Sequence, residues 1–186
     1  IIHDKSIKII DFSNGMYKDD YYYRYNLTLY DKIIRLWDYY LNEPKIPYIQ
    51  ARIYRAPEVI LRTGNIDKAD LWSIGCILVQ MFTGEKLFHS KNEHDQLEMI
   101  YNLLGEDYTI LKDIPEDILY KYFTYYNGDY YFKKTYCVSP NRTLEHVIKE
   151  ANTLREDTTD FIDFIKCLMT INPKNRKNVD ELLVHR

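Results

Sequence analysis

The sequence predicts a mainly helical chain that opens with a short β-hairpin. Three observations carry this. Residues 70–82 are apolar nearly all the way round, which a surface helix is not. Several further segments repeat apolar residues at spacings of three and four and stop at glycine or proline. Strand-like patterning is confined to the first ten residues.

In order, Ile1-Ile2, the polar turn His3-Asp4-Lys5-Ser6 and Ile7-Lys8-Ile9-Ile10 predict the hairpin, closed by Asp11-Phe12-Ser13-Asn14-Gly15. The stretch 17–47 is aromatic and charged. Tyr30, Ile34, Trp37 and Leu41 place one helix within it. Pro57-Glu58 starts a short helix, since proline suits the first helical position. Residues 70–82 form the central helix, ended by Gly84. Gly75 costs about 1 kcal/mol inside a helix, so something is expected to pack close to its backbone. Ser90 with Glu93 reads as a capping box for a helix through Leu97, Ile100, Tyr101 and Leu104, stopping at Gly105. Leu144, Val147, Ile148 and Ala151 form the next stripe. Phe161, Phe164, Ile165 and Leu168 form another, ending before Pro173. Asn178 with Glu181 caps a last helix through Val179, Leu182 and Leu183, and the connections between helices are long and polar.

With 46% apolar residues, the 186-residue chain can fill one core. Its net charge of -3 gives no basic field for nucleic acid or an acidic membrane, so neither is expected as a direct partner. No apolar run approaches the ~18 residues of a membrane span. Cys76, Cys137 and Cys167 are odd in number, far apart and outside any CxxC spacing, which predicts reduced thiols and an intracellular location. The chain does not begin with Met, so targeting is not judged from this end.

Taken alone, Asp11-Phe12 is best read as a strand-ending Asp in a turn, although such a carboxylate can hold Mg²⁺ at a nucleotide's phosphates. A proline-started helix accounts for Pro57 and Glu58 but leaves Arg52 and Arg55 unexplained. A capped core helix does not account for the whole set Asp70-x-Trp72-Ser73-x-Gly75.

In order, these motifs resemble the protein kinase set. Asp11-Phe12-Ser13 stands where Asp-Phe-Gly would be, and Ala56-Pro57-Glu58 matches Ala-Pro-Glu. Asp70 to Gly75 looks like the start of the large lobe's central helix. Asn172-Pro173-Lys174-Asn175-Arg176 is similar to the site of the arginine that pairs with the Ala-Pro-Glu glutamate. Tyr48-Ile49-Gln50-Ala51-Arg52-Ile53-Tyr54-Arg55 is similar to the branch that contains cyclin-dependent, MAP, LAMMER and SR-protein kinases. Asn14, and Tyr122-Phe123 followed by Gly128, resemble the SR-protein kinases, with LAMMER kinases the near competitor.

The resemblance implies the helical C-terminal lobe of a kinase domain. It divides into a metal-binding hairpin and triplet (1–16), an activation segment with an insertion (17–58), central helices (59–90), an insert region (91–155) and C-terminal helices (156–186). It implies an ATP- and Mg²⁺-dependent transferase acting on Ser or Thr of protein substrates, Arg/Ser-rich ones for the SR-protein branch, in cytoplasm or nucleus. Asp11 becomes the metal carboxylate. Ala51, Arg52 and Arg55 shape the substrate pocket, Glu58 and Arg176 form a structural ion pair, and Asp70 supports the catalytic loop. The acidic residues Glu93, Asp95, Glu98, Glu106, Asp107, Asp113, Glu116 and Asp117 fit docking of Arg-rich substrates, as they fit solvated helix faces.

The family's glycine-rich loop, strand lysine and His-Arg-Asp loop have no counterpart in these residues. No catalytic base is therefore expected within the chain, nor transfer by it alone, and an apolar patch is expected on the central helix. Ser13 replaces the triplet glycine. Ala51 replaces a threonine that bonds the catalytic base, which leaves a second reading open: a pseudokinase or scaffold with a decayed site.

Overall fold

A computed structural model describes residues 2–3, 6–7, 49–135, 142–152 and 157–185. The chain divides into two compact units, Ile1–Ile49 and Gln50–Arg186. In the first, β1 (Ile2–His3) pairs antiparallel with β2 (Ser6–Ile7), with Ile2 opposite Ile7 and His3 opposite Ser6. The hairpin expected at the start is thus present, with His3 and Ser6, both expected in the turn, paired within the strands. Asp11, the Ser13 substitution and the helix expected within 17–47 lie outside the described residues.

The second unit is mostly helical. A 3-10 turn at Arg52–Tyr54 leads into α1 (Pro57–Ile60), started by its proline as predicted. The long helix α2 (Ala69–Thr83) follows and ends at Gly84. Then come α3 (Glu93–Leu104), a second 3-10 turn (Tyr108–Asp113) and α4 (Glu116–Tyr122). Strands β3 (Phe123–Tyr126) and β4 (Asp129–Phe132) intervene before α5 (Leu144–Ala151), α6 (Thr159–Leu168) and α7 (Val179–Leu183). No helix among the described residues is long and apolar enough to cross a membrane.

Helix α2 is the centre of the unit. Ala69, Trp72, Gly75, Cys76 and Val79 are buried on one side, packed against α5 and α6. Burial alone pushes the Cys76 thiol up to about 12, with its own backbone and Arg176 opposing, so it stays protonated and inert. The opposite side exposes Ile74, Ile77 and Met81, so α2 is not buried all round: this is the apolar patch expected on the central helix. Gly75 meets its expectation of close packing. A Cβ there would stand 2.6 Å from Met169 Cγ and 3.3 Å from Leu168 Cβ.

Two local predictions need correction. Helix α3 is capped by Asn92, whose side chain accepts from Asp95 N, and not by Ser90. Ser90 instead donates to Gln96 Oε1. Asn caps as well as Ser, and here it sits two residues nearer the apolar stripe. The chain also holds a second hairpin that the sequence analysis read as polar connection. Its signal was present: Asn127-Gly128, both at positive φ (51° and 93°), sits between Phe123-Thr124-Tyr125-Tyr126 and Asp129-Tyr130-Tyr131-Phe132. Phe123 and Phe132 face one another at 5.7 Å and pack on Tyr101 of α3, which explains why this edge stays folded down.

The capping box of α7 is present with Asn178 and Glu181 in reciprocal bonds, although only Leu182 of its apolar residues is buried.

The close approach at Gly75 sets a test. Gly75→Ala gains helix propensity but forces Met169 aside, and should destabilise by about 1–2 kcal/mol in urea unfolding. Combined with Met169→Ala, the cost should fall below the sum of the single changes, because the new methyl fills space the thioether leaves.

Candidate functional site

The segment 50–55 lies over the start of α2. Gln50 anchors it from a left-handed backbone conformation (φ 64°) that a non-glycine residue holds only when fixed from outside. Gln50 Nε2 donates to Ala69 O and to Ser73 Oγ, both at 2.8 Å, and its Oε1 accepts from Ala56 N at 3.0 Å. Ser73 donates onward to Tyr54 O, and the Tyr54 hydroxyl donates to Gln80 Oε1. The segment is thus pinned to α2 at Ala69, Ser73 and Gln80.

Arg55 is buried and turns back on the same loop. It donates to Gln50 O at 2.7 Å and pairs with Glu93 at 3.3 Å. Glu93 also accepts from the Tyr122 hydroxyl. Burial, then the neighbouring Glu93 carboxylate, pushes that phenol well above its ordinary range, so it remains a donor. Arg52 points elsewhere and donates to Lys91 O at 2.7 Å. Ala51 is exposed, with no side-chain group to offer a hydrogen bond.

Beneath this segment Glu58 and Arg176 meet with both side chains wholly buried. The guanidinium donates to Oε1 at 2.6 Å and to Oε2 at 2.8 Å, a bidentate pair. Its remaining N–H groups donate to Lys68 O and Thr170 O, and its face lies 5.4 Å from the Trp72 ring. Burial drives the Glu58 carboxyl upward and the Arg176 charge pulls it back. The fork geometry, with each oxygen taking a guanidinium N–H, is that of a carboxylate.

The structure therefore builds one block in which Arg55 holds Gln50 O and Glu93, and Glu58 pairs with Arg176, which reaches the segment's anchor at Ala69 through the neighbouring Lys68 carbonyl. Asp70 lies apart, exposed in the first turn of α2, with no partner among the described residues. The predicted acidic docking set is mostly engaged. Glu93 holds Arg55, Asp95 accepts from Lys91 N, and buried Glu98 accepts from Thr135. Glu106 pairs with Lys134, Asp107 caps Thr109, and Asp113 pairs with Lys174. Glu116 and Asp117 are the exposed pair, in the first turn of α4. Sequence analysis missed Gln50, Ser73 and Glu93 as parts of this block. Gln50 and Ser73 stand inside motifs it quoted, but their pairing spans 23 residues and leaves no local signal.

A family model described as protein kinase domain matches residues 1–186. The chain is 34% identical over 152 residues to the serine/threonine-protein kinase ppk5 of Schizosaccharomyces pombe, covering 78% of this chain and 17% of that protein. It is 30% identical over 180 residues to human dual specificity tyrosine-phosphorylation-regulated kinase 4, covering 86% and 31%. Among solved structures, a MAP kinase from Leishmania major superposes with a TM-score of 0.56 at 22% identity, over 73% of this chain and 36% of that one, which supports the fold. The chain thus spans about a sixth to a third of the length of these curated relatives.

The buried pair gives a test. Glu58→Gln should cost about 3–5 kcal/mol in urea unfolding, because it leaves the Arg176 charge buried without its counterion. The double change Glu58→Leu with Arg176→Met should recover most of that loss, since an apolar pair needs no compensation.

Proposed function

The chain belongs to the protein kinase family, and from that premise we propose that it supplies the substrate-binding floor of an ATP-dependent Ser/Thr protein kinase. The observation that carries this reading is the pinned segment 50–55 over the Glu58–Arg176 pair. Phosphoryl transfer leaves the protein little covalent work, so holding the acceptor hydroxyl in line is most of its contribution. A floor locked to α2 through Gln50, Tyr54 and Ser73, and to α3 through Arg55, does that without rearranging as substrate enters. Ala51 and Arg52 form its upper edge. Mg²⁺ bound with ATP would neutralise charge on the transferred group, with Asp11 as its assigned carboxylate. Asp11 lies outside the described residues, and Asp70, exposed at the start of α2, is the group assigned to brace the catalytic loop.

The finer reading takes the substrate to be Arg/Ser-rich, as in SR-protein kinases, in cytoplasm or nucleus. Its support is sequence likeness together with the exposed pair Glu116 and Asp117. The other acidic groups are already engaged within the chain, which narrows any docking contribution to these two. A pseudokinase or scaffold is the second reading, favoured by the bare methyl at Ala51.

A phosphate-transfer assay with labelled ATP on the complete gene product separates these readings. Incorporation into a Ser/Thr peptide, abolished by Asp11→Asn, is expected, and no incorporation above background from soluble protein would sink the enzyme reading. Ala51→Thr should raise kcat if the missing hydroxyl limits the site. An Arg/Ser peptide should be preferred over the same peptide with its arginines changed to glutamine. Glu116→Lys with Asp117→Lys should raise KM for the Arg/Ser peptide about two- to tenfold. Equal use of the two peptides would remove the Arg/Ser assignment and leave the kinase reading standing.

A further inference from the structure

One cluster of chemically reactive side chains stands outside the block just described. Asp163 and Cys167 lie four residues apart on α6, on the same helical face. His185 follows α7 and returns to that face. Its Nε2 lies 2.9 Å from Asp163 Oδ2, and its ring stacks edge-on against Phe164 at 5.3 Å. One ligand atom from each of Asp163, Cys167 and His185 lies within 4.8 Å of the others.

We propose that Asp163, Cys167 and His185 form a three-ligand site for a borderline-soft divalent cation, zinc before others. The donor set is an oxygen, a sulfur and an imidazole nitrogen, which are the three ligand types zinc accepts. Bond lengths of about 2.0–2.3 Å require donor atoms roughly 3.3–3.8 Å apart in a tetrahedron. To reach that range the 2.9 Å spacing of His185 and Asp163 would lengthen and the others, all within 4.8 Å, would adjust by side-chain rotation, with the metal taking the place of the proton between Asp163 and His185. A carboxylate and a thiolate together balance the charge of a divalent ion, and the thiol proton leaves to solvent on binding. The fourth position stays open to water. Hard cations are disfavoured, because calcium and magnesium call for more oxygen donors than the single carboxylate here. His185 is the anchor: its side chain is mostly buried (8% exposed), while Asp163 and Cys167 are reachable from solvent.

The site joins α6 to the segment after α7, so binding would clamp the stretch between them. The ion binds the folded state through ligands separated in sequence, and so raises the melting temperature.

Alkylation of the whole untagged chain tests this residue by residue. Iodoacetamide should modify Cys167 in the metal-free protein and leave buried Cys76 untouched. Zinc sulfate at one hundred times the dissociation constant should slow Cys167 modification at least tenfold, as read by peptide mass spectrometry. It should also raise the melting temperature by about 5–10 °C. Magnesium at the same concentration should do neither. Asp163→Asn, an exposed change that leaves the fold intact, and His185→Gln should each abolish the protection. Cys167 alkylation that proceeds equally with and without zinc overturns the proposal, as does protection that persists in both variants.

Discussion

The buried bond between Glu58 and Arg176 is the constraint on which the rest of the second unit depends. Two charges removed from water are expensive, and their mutual attraction repays that only when the geometry is good and further hydrogen bonds are made. Both are found here: Lys68 O and Thr170 O each take a further guanidinium N–H, and the Trp72 ring lies beside the cation. Those partners come from the loop before α2, the exit of α6 and α2 itself. The pair therefore closes 118 residues of chain and fixes three elements at once. It is better understood as a device for specifying one arrangement than as a source of net stability, because an apolar core of equal volume would cost less to bury.

What this arrangement specifies is the backbone above it. Glu58 stands one residue into α1, and the segment 50–55 ends where α1 begins. With α1 held, Gln50 can occupy a left-handed conformation that is unfavourable by itself, compensated by bonds to Ala69, Ser73 and Ala56. Arg55 then folds under the loop and meets Glu93 of α3, so the floor is braced from a second helix. Arg176 is linked to this loop only through intervening groups: it bonds Lys68 O beside Ala69, whose carbonyl Gln50 holds.

The sequence made much of this legible. Helix starts at Pro57 and Asn178, the stop at Gly84 and the close packing at Gly75 all follow from local rules, and local rules depend on few residues. The pairing of Glu58 with Arg176 was reachable only through resemblance, because no spacing links positions 118 apart. The second hairpin was missed although Asn127-Gly128 announced it: its strands are tyrosine-rich and mostly exposed, so no alternation of apolar and polar residues marked them. Ser90 drew the cap of α3 because Glu93 stands three residues beyond it, while Asn92, an equally good cap nearer the apolar stripe, holds the helix end. The acidic residues of the insert region divide between partnered and exposed ones in a way the sequence does not announce. A carboxylate in a sequence gives no sign of whether it will face solvent or a lysine, and most of these face a partner within the chain.

The placement of Asp163, Cys167 and His185 connects back to the buried pair. Arg176 sits on the turn between α6 and α7, a stretch held at its inner side by Glu58 and by the carbonyls of Lys68 and Thr170. At its outer ends α6 is joined to the residue beyond α7 by the Phe164–His185 ring contact and by the His185–Asp163 hydrogen bond, and a hydrogen bond between a histidine and an exposed carboxylate contributes little. A cation shared with Cys167 would make the same join strong. It would close a loop of about 18 residues, and cross-links of that length restrict the unfolded chain by roughly 3 kcal/mol. The turn that carries Arg176 would then be fixed at both ends, and the loop 50–55 would inherit that rigidity through Glu58.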